Sequence, residues 1–227
     1  MTKSNVAAVI LAAGEGTRMK SVLPKVLHPI AGQSMLGHLI NRLSAIETER
    51  IVAVTSRDLR EEIELFPSIE IAIQEPPLGT AHAVLAAEEF LKGFEGDVLV
   101  LFGDTPLLTE ATIQAMVEVR RGKNNPAVVV LGFSPDHPGE YGRLVKDANG
   151  GLEKIVEFCD ANEDERKIGL CNAGIMAIDG KRLFELLNEV ADNNAKSEFF
   201  LTDIVGIARS KGWGCLVLET DDPDEVM

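Results

Sequence analysis

The chain has 227 residues, of which 45% are hydrophobic and 26% charged, as in soluble globular proteins large enough to bury a substantial core. Its 36 acidic and 22 basic side chains leave a net charge of −14, which argues against general binding to nucleic acid or to an anionic membrane. No apolar run reaches the length of a membrane span, and no signal-like segment opens the sequence. The three cysteines and four histidines lack zinc-site spacing, so we expect reduced thiols in a cytoplasmic protein.

Apolar, β-rich runs alternate with helical patterns through the first two-thirds of the chain. The run at 98–102 is continuously apolar, which predicts a strand buried on both faces of a sheet. The predicted strands here are 6–11, 51–55, 69–73, 98–102 and 127–133. One helix is predicted from the helical spacing of Met35, Leu36, Leu39, Ile40 and Leu43. Further helices are predicted at 58–65, with Ser56 as its candidate cap, and at 80–91 and 110–121. This alternation predicts an α/β protein with a Rossmann-like, mainly parallel sheet and helices on both faces.

From Pro135 onward the pattern changes. Residues 141–145 and 152–157 predict two antiparallel strands across a turn at 147–151, and 159–167 predicts a polar surface loop. Strands are expected at 171–178 and 214–218. Two helix faces lie between them, one with Leu183, Leu187 and Val190 and the other with Leu201, Ile204, Val205 and Ala208. Without a linker or an internal repeat, we expect one domain over 1–227 with an inserted antiparallel lobe.

Ligands of parallel α/β sheets bind beyond the carboxyl ends of the strands. Three predicted loops begin there, after Leu11, after Ile73 and after Phe102. We therefore expect these loops to converge on one crevice.

The first of these loops, in the segment 11–25, is the most informative part of the sequence. Gly14 and Gly16 permit a tight turn that aims backbone N–H groups at phosphate oxygens, and Arg18, Lys20 and Lys25 add positive charge. The 31 residues from 16 to 46 hold no Asp or Glu, although the chain average of 36 in 227 would give about five. A basic island in an acidic protein favours a polyanionic substrate.

Neither common phosphate-binding motif fits this loop. A P-loop needs Gly-Lys-Ser/Thr after its first glycine, and the dinucleotide fingerprint needs a third glycine where Met19 stands. A glycine-rich turn with solvated basic residues is the alternative for two glycines alone. The full fifteen-residue string LAAGEGTRMKSVLPK is far more specific.

This string resembles the signature loop of the sugar-nucleotide pyrophosphorylases. It is most similar to the uridyltransferase domains of the bacterial bifunctional enzymes that make UDP-N-acetylglucosamine. The resemblance implies the nucleotide-diphospho-sugar transferase fold, with an acceptor-binding lobe. It also assigns Leu11, Ala12, Ala13, Gly14, Gly16 and Thr17 to nucleotide binding.

A second motif, GDTPL, follows the predicted strand at 98–102. Asp104 at this strand end is a hard oxygen ligand suited to Mg²⁺ shared with phosphates, whereas an isolated Gly-Asp more often marks a turn. The resemblance puts Asp104 at the family's metal-ligand position and Gly103 beside the sugar.

The segment QEPPLGTA follows the predicted strand at 69–73. Gln74 offers both a donor and an acceptor for a uracil edge, Gly79 permits close approach, and Thr80 is a candidate cap for the next helix. An ordinary strand-to-helix turn is the alternative from these residues alone. The resemblance to the family's base-recognition loop favours uracil contacts for Gln74, Gly79 and Thr80.

The inserted lobe supplies three polar positions, Gly142 in YGR, Glu157 in VEF and Asn172 in CNAG. Each alone is typical of a turn or surface. Together they resemble family motifs that imply contacts to N-acetylglucosamine. Ala173 stands where the family more often has Thr, and the run SEFFLTD, with Phe for the family's Tyr, is assigned mainly to packing.

Two basic residues are the candidates for catalysis. The Lys25 ammonium would neutralise charge that grows on the phosphates, and Arg18 would grip two phosphates with its paired donors. We expect core or surface roles for His38 and His82, and no arrangement of residues requires a protein nucleophile.

The resemblance implies a uridylyltransferase that uses Mg²⁺, UTP and N-acetylglucosamine-1-phosphate to make UDP-N-acetylglucosamine for cell-wall precursors. Two alternatives remain, namely a related enzyme with another nucleotide or sugar phosphate, and a binding domain with weak catalysis. The second arises because the family's second metal ligand, an Asn, and its left-handed β-helix acetyltransferase domain would lie beyond Met227. If the chain is a truncated form without that domain, we expect it to lack acetyl transfer. The C-terminal domain also makes the trimer in the family, so the oligomeric state of this chain is left open.

Overall fold

A computed structural model describes residues 5–14, 19–21 and 23–226. The strands are β1 Val6–Leu11, β2 Pro29–Ile30, β3 Gln33–Ser34, β4 Arg50–Thr55, β5 Glu70–Ile73, β6 Asp97–Phe102, β7 Val128–Phe133, β8 Arg143–Lys146, β9 Leu152–Val156, β10 Cys171–Asp179 and β11 Cys215–Glu219. The helices are α1 Met35–Ala45, α2 Arg60–Ile63, α3 Thr80–Leu85, α4 Glu88–Leu91, α5 Glu110–Arg120, α6 Glu163–Arg166, α7 Gly180–Leu187 and α8 Asp203–Ser210. One-turn 3-10 helices cover Lys25–Leu27, Arg57–Leu59 and Pro223–Glu225.

The central sheet confirms the predicted α/β class. Its strand order is β11-β7-β10-β6-β1-β4-β5, and the pairs β11–β7, β6–β1, β1–β4 and β4–β5 are parallel. Strand β10 runs antiparallel to both of its neighbours, β6 and β7, which the sequence pattern did not predict. The β8–β9 hairpin joins the sheet through β10 and forms the predicted antiparallel lobe.

Two hydrophobic cores cover the two faces of the sheet, because alternate side chains of each buried strand point to opposite sides. In β1, Ala7 and Val9 pack into the core beneath α3, α7, α8 and the hairpin. Ala8 and Ile10 of the same strand pack into the core beneath α1, α2 and α5. Helices therefore cover both faces, as predicted. No helix within the described ranges combines the length and the apolar character that a membrane crossing requires.

Several helix predictions need correction at their ends. The predicted helix 80–91 is two helices, because the chain tightens at Ala87, whose N–H bonds the carbonyl three residues back. The predicted helix 58–65 is a 3-10 turn followed by α2, and the Ser56 side chain does not cap it. The surface loop 159–167 contains α6, which begins with a capping box between Asn162 and Glu165.

Candidate active site

The loops after β1 and β6 lie side by side at the carboxyl edge of the sheet. The Ala12 N–H donates to the Val54 carbonyl at 2.8 Å, and the Gly103 N–H donates to the Leu11 carbonyl at 2.9 Å. Leu11 and Ala12 are buried, whereas Gly14 is exposed with open space around its Cα. Gly14 therefore lies at the surface beyond the carboxyl end of β1, where its backbone is open to a ligand.

Lys25 and Asp104 meet beside these two loops. The Lys25 Nζ lies 2.5 Å from Asp104 Oδ2, and their side chains are 39% and 27% exposed. Val26, which follows Lys25, is buried against Gly103, where an added Cβ would lie 3.0 Å from Val26 Cγ1. Packing of the two loops therefore holds the ammonium and the carboxylate together.

Thr105 fixes the turn that carries Asp104. Its Oγ1 donates to the Phe102 carbonyl at 2.8 Å, at the end of β6. Among the described residues, no group of three or more His, Cys, Asp or Glu side chains is arranged to hold a metal ion. A single hard carboxylate in the turn after β6 suits Mg²⁺ that takes its other ligands from phosphates and water.

Gln74 is buried directly after β5, and its side-chain amide is held by the loop that follows. Gln74 Nε2 donates to the Gly79 carbonyl at 2.9 Å and lies 3.3 Å from His82 Nδ1. His82 thus contacts a predicted site residue, a role the sequence did not indicate. These contacts hold the loop 74–80 in place, and we call this loop the shelf.

Gly79 and Thr80 are packed against the segment 199–202, which we call the strap. Gly79 has a φ of +122°, and a Cβ there would lie 2.5 Å from the Phe199 carbonyl oxygen. Thr80 is not the helix cap that the sequence suggested, since Gly79 occupies that position. The Thr80 hydroxyl instead accepts a hydrogen bond of 2.8 Å from the Leu201 N–H.

The three residues of the lobe come together on the other side of the strap. The Asn172 N–H donates to the Gly142 carbonyl at 2.9 Å. A Cβ added at Gly142 would lie 3.4 Å from Glu157 Oε2 and 3.6 Å from Asn172 Cβ. The Asn172 Oδ1 accepts from the Gly174 N–H, and Gly174 packs on the Phe102 ring at the end of β6. This contact brings the lobe to the Asp104 turn.

The Glu157 carboxylate is half-buried, and burial raises its pKa above the ordinary value. Asp203 and Asp160 raise the pKa further, whereas the Thr202 hydrogen bond and the Lys196 charge lower it. The pKa of Asp203 is also raised, chiefly by burial and then by Asp160. A cleft of about 280 Å³ adjoins these groups, lined by Ile155, Val156, Glu157, Asp160, Asn193, Asn194, Phe200, Thr202 and Asp203. Polar walls around a carboxylate suit a ligand rich in hydroxyl groups.

The predicted site residues fall into three neighbouring groups, and a few lie outside the described residues. The groups are Leu11, Ala12, Ala13, Gly14, Lys25, Gly103 and Asp104, then Gln74, Gly79 and Thr80, then Gly142, Glu157 and Asn172. Gly16, Thr17 and Arg18 lie outside the described ranges, so their roles stay predictions. A larger cavity of about 370 Å³ opens at the amino end of β1, beside Val6 and Arg121, and contains none of the predicted site residues.

Sequence comparisons show which known proteins this chain is similar to. Residues 8–194 match the family model of the MobA-like NTP transferase domain. The chain is 50% identical over 227 residues to the bifunctional protein GlmU of Paramagnetospirillum magneticum, covering 99% of this chain and 50% of that protein. It is 53% identical over 219 residues to the bifunctional protein GlmU of Rhodospirillum rubrum, covering 96% of this chain and 48% of that protein. The chain thus spans about half the length of these relatives.

Proposed function

The chain belongs to the family of MobA-like NTP transferase domains, and from this premise we propose that it transfers the uridylyl group of UTP to N-acetylglucosamine-1-phosphate. The products are UDP-N-acetylglucosamine, a precursor of cell-wall polymers, and pyrophosphate. The observation that carries the proposal is the meeting of Lys25 and Asp104 in a turn that is hydrogen-bonded, through Gly103, to the end of β1. Relatives about 50% identical along the whole chain support the choice of substrates.

In the proposed reaction, a phosphate oxygen of the acceptor attacks the α-phosphorus of UTP. The bond from the α-phosphorus to the bridging oxygen of the β-phosphate breaks, and pyrophosphate leaves with both bonding electrons. No protein nucleophile is required, because positioning and charge stabilisation supply the catalysis. Lys25 neutralises the negative charge that develops on the phosphates. Arg18, by the family pattern, binds the leaving phosphates.

Asp104 is the proposed protein ligand of Mg²⁺, which when bound would neutralise phosphate charge. The ion pair with Lys25 holds the carboxylate in place before substrate arrives. With nucleotide bound, Lys25 would pair with phosphate oxygens and Asp104 would hold Mg²⁺, so these interactions would replace the direct contact between the two side chains.

The shelf formed by Gln74, Gly79 and Thr80 is the proposed uracil site, and Gly142, Glu157 and Asn172 are the proposed sugar site. The Glu157 carboxylate accepts hydrogen bonds from sugar hydroxyls, and Asn172 can both donate and accept. The two proposed sites contact the same short strap, which agrees with a reaction that joins their ligands.

The test is pyrophosphate release from the purified chain with UTP, N-acetylglucosamine-1-phosphate and Mg²⁺. We expect release that disappears with EDTA and is much weaker with CTP, dTTP or ATP. An Asp104→Asn variant should lose most of this activity, while the exposed Asp136→Asn variant serves as its control. Release with another nucleotide or sugar phosphate instead would reassign the substrates, and binding without release would favour a domain with weak catalysis.

A further inference from the structure

The strap, residues 199–202, contacts both proposed substrate sites at once. On the nucleotide side, the Ala81 N–H donates to the Phe199 carbonyl and the Phe199 N–H donates to the Leu78 carbonyl, each at 2.9 Å. The Leu201 N–H donates to Thr80 Oγ1 at 2.8 Å. These bonds leave the strap little freedom to slide along the loop 74–80.

On the acceptor side, the next residue of the strap bonds the proposed sugar carboxylate. Thr202 is 8% exposed, and its Oγ1 donates to Glu157 Oε1 at 3.3 Å. The other carboxylate oxygen, Oε2, faces Gly142. One oxygen is therefore held by the protein, and the other is directed to the proposed sugar site.

We propose that Thr202 is a positioning residue for the acceptor, which orients the Glu157 carboxylate and keeps it ionised. The hydrogen bond between Leu201 and Thr80 sets the position of Thr202 in the strap. This inference rests on the proposed function, because it assumes that Glu157 receives the acceptor sugar. Thr202 acts through Glu157 and touches no reacting atom.

The physical need for such a residue follows from the surroundings of Glu157. Burial disfavours the charged carboxylate, and so do the neighbouring carboxylates of Asp203 and Asp160. The charge of Lys196 opposes them, but that side chain is exposed and its influence is screened by solvent. A donated O–H bond from a buried neighbour favours the ionised form without such screening.

The first experiment compares Thr202→Val, which removes only the hydroxyl, with Thr202→Ser, which retains it. We expect the valine variant to raise the KM for N-acetylglucosamine-1-phosphate about tenfold, since a hydrogen bond to a charged group is lost, with the KM for UTP nearly unchanged. The serine variant should recover most of the loss. Thr48→Val is the matched control, because Thr48 Oγ1 is buried without a partner among the described residues.

The pH dependence separates positioning from general damage. Acceptor kcat/KM should fall at low pH as Glu157 protonates, and the valine variant should shift that fall to higher pH. A loss that is equal at every pH, or a serine variant as impaired as the valine one, would overturn the role of Thr202.

The link to the nucleotide loop is tested by a double-mutant cycle. Thr80→Val removes the acceptor of the Leu201 N–H bond, so it should raise the acceptor KM as well as the UTP KM. Combined with Thr202→Val, the effect on the acceptor KM should be less than the product of the single effects, because both act through the strap. Independent effects would contradict the claim that the bond from Leu201 to Thr80 sets the position of Thr202.

A readout without substrates keeps this test apart from the proposed function. Titration of the Glu157 side chain by carbon-13 NMR should give a higher pKa in Thr202→Val than in the wild-type chain. An unchanged titration would remove the ionising role even if uridylyl transfer is observed. A shifted titration in a chain that releases no pyrophosphate would support the effect of Thr202 on the ionisation of Glu157 and reject the proposed reaction.

Discussion

The ammonium of Lys25 lies 2.5 Å from the carboxylate of Asp104, although 79 positions (104 minus 25) separate the two residues in the chain. Both side chains remain partly exposed, so the pair is accessible to a ligand. A partly exposed ion pair contributes little to stability, typically about 0–1 kcal/mol. Its position beside the end of β6 agrees with the proposed role in binding and catalysis.

Replacement of Lys25 by Ala should therefore lower turnover far more than stability. Loss of a charge-stabilising group costs about 10²–10³ in kcat. The measurement is the initial rate of pyrophosphate release at saturating UTP, together with a thermal melt that should change little. Lys123→Ala is the control, since Lys123 is exposed in the loop before β7 at the opposite edge of the sheet. A Lys25→Ala rate near that of the control would remove Lys25 from the catalytic group.

Replacement of Gly79 by Ala should weaken the nucleotide site. The added Cβ would lie 2.5 Å from the Phe199 carbonyl oxygen, so the strap or the shelf has to move. We expect about 1–3 kcal/mol of lost stability and at least a tenfold rise in the UTP dissociation constant measured by calorimetry.

The matched control for Gly79 is Gly93→Ala. Gly93 also has a positive φ, of +73°, but nothing lies within 4 Å of an added Cβ. It should show only the backbone strain, about 1 kcal/mol, with normal nucleotide binding. Equal effects at the two glycines would mean that contact with the strap is unimportant.

Replacement of Glu157 by Gln should stabilise the protein at neutral pH while impairing acceptor binding. The folded-state pKa of Glu157 is raised above its ordinary value of 4.5, chiefly by burial. A raised carboxyl pKa contributes stability below the unfolded pKa that is lost as the pH rises through the folded pKa. The variant should thus unfold at higher urea concentration than the wild type at pH 8, with the difference vanishing near pH 4.

Glu165→Gln provides a control of opposite sign. Its pKa is lowered by the hydrogen bonds from Lys154 and from the Asn162 N–H, so it contributes stability above its ordinary pKa that is lost as the pH falls. This variant should be less stable than the wild type at pH 8. The same sign of change in both variants would contradict the assigned electrostatic environments.

Replacement of Arg120 by Met should destabilise the fold without altering the chemistry. Arg120 Nε lies 2.5 Å from Asp97 Oδ1, and the two side chains are 11% and 3% exposed. Asp97 keeps its ion pair with the more exposed Arg121, but Asp97 and Asp179 both lose the buried guanidinium of Arg120, at a cost of about 3 kcal/mol. Urea unfolding should show the loss, while the UTP KM stays normal because the pair lies at the amino end of β6.

The exposed pair of Arg60 and Glu64 serves as the comparison for Arg120. Its side chains are 57% and 50% exposed, so Arg60→Met should change the free energy of unfolding by less than about 1 kcal/mol. If both arginine variants lose the same free energy of unfolding, burial does not determine how much each ion pair stabilises the fold.

Much of this fold could be predicted because buried strands and amphipathic helices leave local patterns. The runs that became β1, β4, β6 and β7 were predicted within one residue of their ends. The antiparallel direction of β10 was missed, because an apolar run carries no sign of the direction in which its strand will pair. The helix α6 was missed although the spacing of Asn162 and Glu165 is that of a capping box.

The candidate site divides in the same way. Gly14, Gln74 and Asp104 could be selected because each follows an apolar run, and such runs end at one edge of a parallel sheet. The run 197–203 was assigned mainly to packing, and its bonds from Leu201 to Thr80 and from Thr202 to Glu157 went unpredicted. The sequence around a hydroxyl or a backbone N–H does not indicate which distant residue it will bond.

By itself, the sequence determined the α/β class, the loops at the strand ends and the basic, acid-free character of residues 16–46, because these depend on local periodicity and composition. Only the tertiary structure decided which residues touch: Lys25 with Asp104, Gly79 with Phe199, and Thr202 with Glu157. Such contacts depend on how strands order and helices pack across the whole chain, and the orientation and ionisation of a half-buried carboxylate such as Glu157 follow from that packing.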